Sequence, residues 1–170
     1  MEVGVAALMG AGVLLVLSRV DIVQMLEKEI EWPTLIFFMM LFIVVAGAEE
    51  SGLIQVIADW VRDMSGGSLM VAVVLILWVS AIASAFIDNI PFTATMLPLV
   101  ASLNQTMPGA ESGILWWALA LGACLGGNGT MIGASANIVT VGIAESLGYP
   151  VSFMQYMKMA WWPMMITVAL

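Results

Sequence analysis

The feature that most constrains this chain is a pair of interrupted apolar runs. The first is uncharged from Leu69 to Ile87, meets Asp88, Asn89, Ile90, Pro91, Phe92, Thr93, Ala94 and Thr95, and is apolar again from Met96 to Leu103. The second runs from Ile114 to Leu125 into Gly126, Gly127, Asn128, Gly129, Thr130, Met131, Ile132, Gly133, Ala134, Ser135, Ala136 and Asn137, after which apolar sequence resumes. A carboxylate thus falls where a membrane helix would be deepest. Non-helical backbone is tolerated at that depth only where protein or a watery cavity satisfies its polar groups. Two such breaks point to one shared internal site.

Composition makes the membrane reading firm. The chain is 62% hydrophobic and 9% charged, with a mean hydropathy of +1.08, against roughly 45–50% apolar and about 25% charged in soluble domains. An all-α integral membrane protein follows, and at about 20 residues per span there is room for about five or six apolar segments and no separate soluble domain. The net charge of -8 is scattered over short connections, and four basic residues cannot form a nucleic-acid surface. Histidine is absent and the one cysteine, Cys124, lies alone in an apolar run. Disulfides, Cys/His metal sites and His-dependent triads are excluded within the chain, so neither a cofactor nor an enzyme active site is expected. The start, Met1, Glu2, Val3, lacks the basic region of a signal peptide.

Taken in order, residues 3–18 read as a first span that is short for a ~30 Å core, as if its start were missing. Asp21 to Glu31 is a polar connection. Trp32 marks an interface, Pro33 suits a first helical turn, and 33–48 is the second span. Gly47 to Gly52, with Glu49 and Glu50 as interfacial carboxylates, stops it. Residues 53–63 form an interfacial amphipathic helix, with Leu53, Val56, Ile57, Trp60 and Val61 on one face. Residues 68–104 make a re-entrant helical hairpin, because Pro91 to Asn104 rises only about 21 Å. Gln105 to Ser112 is a loop, and 113–147 is one discontinuous transmembrane helix. Ser152 to Met159 is interfacial, and 155–170 contains a last span that stops mid-bilayer. The chain reads as truncated at both ends. Arg19, Lys28 and Lys158 fall on one side and Arg62 on the other, which by the positive-inside bias places the first group in the cytoplasm and the hairpin's entry outside.

Within the first break, Asp88 is the residue hardest to keep without a function, since a central aspartate costs about 2.5–3.5 kcal/mol on insertion scales. It reads as an ion- or proton-handling group, with a hairpin cap as the plainer reading. Asn89, Thr93 and Thr95 add neutral oxygens and donors, a set suited to a hard cation such as sodium. In the second break, Gly122/Gly126 and Gly129/Gly133 have the GxxxG spacing of close helix packing. Packing alone does not account for Asn128, Thr130, Ser135 and Asn137 in the same short segment, so Asn128, Gly129, Thr130, Ser135 and Asn137 are expected to bind. A phosphate loop is ruled out because Asn128 stands where its lysine belongs. The tryptophans read as belt or packing residues and the 15 methionines as filler.

The stretch SAFIDNIPFTATMLPLV from Ser84 to Val100, with ALALGACLGGNGTMIGASANIVTVGIAE from Ala118 to Glu145, resembles the ion transporter superfamily of arsenite, citrate and sodium/proton permeases, and within it the P protein-like permeases. EWPTLIFFMMLFIVVAGAEESG from Glu31 to Gly52 is similar to the opening span of that family's second repeat. The resemblance implies one repeat, the C-terminal half, of an inverted-repeat elevator-type transporter that is a homodimer when complete. It implies a hairpin tip and an unwound span that bind substrate and sodium, here near Asn89, Thr130 and Asn137. The family's Ser-Asn-Thr tip is matched by Asp88, Asn89 and Ile90, so only the asparagine is kept. The expected function is cation-coupled, sodium- or proton-driven, transport of a small inorganic or organic anion in the inner or plasma membrane. A sodium/proton antiporter is the near alternative and a passive ion channel the distant one. An intramembrane hydrolase is disfavoured because no second deep carboxylate accompanies Asp88.

Overall fold

The structure, a computed structural model, describes residues 3–18, 21–28, 30 and 32–170. Arg19, part of the charge-bias argument, and Glu29 and Glu31 of the polar connection lie outside the described residues, as do Met1 and Glu2. Helices account for most of the chain, with no strand among the described residues. The chain divides into two compact units, Met1–Met39 and Met40–Leu170.

In the first unit, α1 (Val3–Ser18) is apolar all round and has no buried residue. Its 16 residues fall short of a spanning length. The polar connection holds a short helix, α2 (Ile22–Lys28). Asp21 starts it, its Oδ1 accepting from the backbone N–H of Val23 at 3.0 Å and of Gln24 at 3.2 Å. α3 (Trp32–Glu50) opens with Pro33 in its first turn, where a missing N–H is harmless.

In the second unit, α3 ends at Glu50 and α4 (Leu53–Met64) leaves at a 69° bend. Gly52 makes the corner with φ of 79°, a left-handed conformation that glycine adopts without Cβ strain. Ala58 and Val61 of α4 are buried, whereas Leu53, Val56, Ile57 and Trp60, expected on the same apolar face as Val61, are exposed. Among the described residues no single helix is long and apolar enough to cross a membrane, although α3 and α4 qualify as a bent pair.

α5 (Leu69–Ser84) and α6 (Asn89–Thr106) follow, then a 3-10 turn (Ala110–Ser112), α7 (Ile114–Gly126), a second 3-10 turn (Gly127–Gly129), α8 (Ser135–Ser146) and α9 (Phe153–Ala169). α5 packs along α7, and α6 packs on α7 and α4, so the arms on either side of the first break are joined mainly through α7. Their core holds Ile76, Phe92, Leu99, Val100, Leu103, Leu115 and Leu119. α9 closes over the breaks with Met164 and Val168 against Ala81 and Ala85. Outward-facing Met70, Val74, Val79, Ile82, Ile138, Val139 and Ile143 remain exposed. Such a surface suits lipid, since exposed apolar area on this scale is a liability in water.

Three boundaries differ from the sequence expectation. α6 continues through Gln105 to Thr106, because nothing in Leu103 to Thr106 stops a helix before Pro108. Residues on both sides of Ala160 form the single helix α9, started by a capping box in which Ser152 Oγ accepts from the Gln155 N–H and Gln155 Oε1 accepts from the Ser152 N–H. Both polar breaks are shorter than the polar clusters that announce them.

Candidate functional site at the two helix breaks

The first break is confined to Ala85–Asp88, between the end of α5 and the start of α6. Asp88 caps α6, its Oδ1 accepting from the Ile90 N–H at 3.0 Å. Thr93 and Thr95, read as part of the break, sit instead in the early turns of α6. Thr95 Oγ1 donates back to the Phe92 carbonyl at 2.7 Å, a bond that helical backbone makes available. Both threonines are half-buried.

The second break unwinds in stages: α7 tightens into the 3-10 turn at Gly127–Gly129, the chain is irregular from Thr130 to Ala134, and α8 begins at Ser135. α8 has alanine at its cap position and no side-chain cap of its own. The missing acceptor comes from across the fold, where Asp88 Oδ2 accepts from the Ser135 N–H at 3.1 Å. One carboxylate therefore serves the N-termini of two helices, where the backbone dipoles favour negative charge.

Further bonds join the breaks. The Asn89 N–H donates to the Gly133 carbonyl at 3.2 Å. The hydroxyl of Thr130, fully buried, donates to the Ala85 carbonyl. Asn137, in the first turn of α8, donates through Nδ2 to the carbonyls of Gly127 at 2.9 Å and Thr130 at 3.0 Å. That amide satisfies two acceptors which the unwound segment would otherwise leave bare. Deeper in, Ser84 Oγ donates to the Ala123 carbonyl at 2.7 Å, tying α5 to α7 where α7 would otherwise be held by apolar contact alone.

The glycines explain how backbones come this close. A Cβ at Gly122 would meet the Leu77 carbonyl, and one at Gly126 the Ala81 backbone. A Cβ at Gly133 would lie 2.8 Å from the Ser84 oxygen and 3.0 Å from that of Ala85. One at Gly127 would lie 2.9 Å from the Gly133 oxygen and 3.7 Å from Asn89 Cβ, so Gly127 stands between the two asparagines. At Gly122 and Gly126 the packing reading of the GxxxG spacing describes what these residues do. Gly129 is covered by Met164 and Trp161 of α9.

The structure thus brings together Asp88, Asn89, Thr130, Ser135 and Asn137, with Gly129 beside them. Asn128 points away: it is exposed, and its Nδ2 reaches only the Cys124 carbonyl at 3.5 Å. The cavity next to the breaks, about 430 Å³, is lined by Phe86, Met157, Lys158, Trp161 and Trp162, not by the asparagines. Sequence reasoning missed Ser84 and Ala85, and read Gly133 only as a packing residue. Ser80 and Ser84, one helical turn apart in an otherwise apolar run, were the available signal for the first.

A helical chain whose apolar faces are turned outward and whose polar backbone breaks are gathered at one junction has the make-up of a membrane transport protein. The chain belongs to the citrate transporter family, whose model, described as "Citrate transporter", matches residues 2–122. It is 42% identical over 172 residues to the P protein of Homo sapiens, covering 98% of this chain and 20% of that protein. The 46 kDa membrane protein of Mycobacterium leprae is 42% identical over 164 residues, covering 96% of this chain and 38% of the relative. An uncharacterized transporter of Mycobacterium tuberculosis is 47% identical over 153 residues, covering 89% of this chain and 35% of its own length. The chain therefore spans only about a fifth to two-fifths of the curated relatives it matches. No solved structure matches it significantly.

Proposed function

We propose that residues 1–170 form one repeat of an inverted-repeat secondary transporter, with 68–104 as a re-entrant hairpin and 113–147 as a discontinuous span. Its activity is cation-coupled movement of a small ion across the membrane. The observation that carries this reading is the junction itself: Asp88 and Asn89 of one break bond Ser135 and Gly133 of the other. Helix N-termini and unwound carbonyls placed together at membrane depth are the way transporters build ion sites.

In this reading Asp88 handles the coupling cation, sodium or a proton. Two of its lone-pair positions are used by backbone N–H groups, and a carboxylate has about four. Asn89 and Asn137 present neutral oxygens to the same ion. Thr130 contributes by position, since its hydroxyl is spent on Ala85 and its carbonyl on Asn137. Gly129 lets α9 close over the site. Thr93, Thr95 and Asn128 belong to its approaches, and lipid surrounds the outward apolar faces. A second repeat, in the same polypeptide or another chain, supplies the facing wall, and the complete transporter works as a homodimer in the inner or plasma membrane.

The test is solute flux in liposomes carrying the full-length protein, with and without an imposed sodium or proton gradient. Uptake against a solute gradient that collapses with the ion gradient supports the reading. Downhill flux that ignores the ion gradients would make the protein a channel, and no flux under any gradient would refute transport. Proton release driven by inward sodium, without a co-transported solute, would mark the antiporter alternative. Asp88 favours keeping that alternative, because it is the one carboxylate at the junction among the described residues.

A further inference from the structure

We infer that Asp88 is a built-in anion that selects against carboxylates and other anionic ligands at the junction of the two breaks. Resting on the transport reading above, this narrows the ligand class at that site to a cation or a neutral group. The argument begins with α8. Its cap residue is Ala134, which has no acceptor to offer, and its first N–H is taken instead by a carboxylate 47 residues earlier in the chain. The same carboxylate caps α6 through its other oxygen. Two helices of 18 and 12 residues thus direct their N-terminal N–H groups at one negatively charged group. This is the arrangement by which proteins hold phosphate, sulfate or substrate carboxylates, except that here the anion is part of the protein.

The consequences are electrostatic. Among the described residues Asp88 has no ion pair, so its charge is balanced by backbone dipoles and hydrogen bonds and not by a lysine or arginine. A second carboxylate brought to the junction would find the N–H groups already taken and a like charge at contact distance. A cation would find a carboxylate with unused lone pairs, since backbone N–H groups take two of its about four positions. Removing the charge reverses the preference: it uncovers the Ser135 N–H and leaves two positive helix ends without a counter-charge.

A single reporter cysteine at exposed Ala136, next to Ser135, reads this locally in the full-length protein after Cys124 and any other cysteine are replaced by alanine. Its alkylation rate is followed against formate, citrate and chloride. With Asp88 intact, none of the three should slow the reaction. In Asp88→Ser, which keeps an oxygen to cap α6, formate should slow it saturably, at concentrations about tenfold below the highest that leaves the parent's rate unchanged. Asp88→Gly should do the same. Protection by any of the anions with Asp88 intact overturns the inference, as does absence of protection in both folded neutral variants. Should neither neutral variant fold, the Asp88-intact arm decides, protection overturning the inference and its absence upholding it. The readout needs no transport, so failed flux with this protection pattern removes the transport reading and leaves the electrostatic assignment standing.

Discussion

Gly126→Ala is the sharpest probe of the packing that brings the breaks together. A methyl at this position would contact the Ala81 carbonyl carbon at 2.6 Å and other Ala81 backbone atoms still closer. Relaxed carbon contacts are about 3.5–4.0 Å, so α5 and α7 must separate by roughly an ångström. Backbone cannot rotate aside as a side chain can. Overpacking of this kind costs about 1–3 kcal/mol. The same separation stretches the Ser84–Ala123 hydrogen bond, now 2.7 Å, which adds about 0.5–1.5 kcal/mol. A loss of about 1.5–4.5 kcal/mol is expected from these two terms. Gly142→Ala is the matched control, since nothing lies within 4 Å of its Cβ position in α8. There alanine should stabilise by up to about 1 kcal/mol through helix propensity. Thermal unfolding of the full-length protein in detergent, followed by the loss of its monodisperse chromatographic peak, should show opposite shifts. An unchanged midpoint for Gly126→Ala would refute the close α5–α7 approach.

Asn137→Ala should destabilise by about 1–3 kcal/mol because it strips donors from the Gly127 and Thr130 carbonyls, and the unfolding midpoint checks it. Asn137→Asp should be worse than alanine in the same assay, because it turns an acceptor toward those two oxygens. Thr130→Ser should retain most of the stability that Thr130→Val loses; equal losses would show that the hydroxyl bond to Ala85 contributes nothing. Asp88→Asn keeps the shape but not the charge, and in the full-length transporter it should leave insertion intact while strongly reducing ion-coupled flux. Unchanged rate and ion dependence would reduce Asp88 to a helix cap.

The breaks were legible in the sequence because polar residues interrupt runs that nothing else interrupts. Their extent was less so. Thr93 and Thr95 look like loop residues by composition, yet a threonine hydroxyl can bond the carbonyl of a preceding helical turn, and both remain in α6. The helical start of Ser152–Met159 was written in the Ser-x-x-Gln signature at Ser152 and Gln155. Long-range partners were not legible at all. The acceptors for Ser84, Thr130 and Asn89 are backbone carbonyls of Ala123, Ala85 and Gly133, and a carbonyl carries no side-chain identity for a sequence to display. The third of these rests on a glycine whose carbonyl, not its missing side chain, makes the contact.

These bonds also limit how the junction can move. Ser84 ties α5 to α7, Thr130 ties the second break to Ala85, and Asp88 and Asn89 tie the start of α6 to the start of α8. Between them, Gly122, Gly126 and Gly133 leave no space into which one backbone could slide past another. Opening either break alone would expose several polar backbone groups, each costing about 1–3 kcal/mol when buried without a partner. Displacing α5 through α8 together breaks none of these bonds. If the ion site alternates between the two sides of the membrane, the motion that costs least carries both breaks as one body, and the sliding surface lies outside this group of helices. A cross-link between the start of α6 and the start of α8 that spares Asp88, Asn89 and Gly133 would then be compatible with full transport activity, whereas a mechanism in which the breaks part during each cycle would be stopped by it.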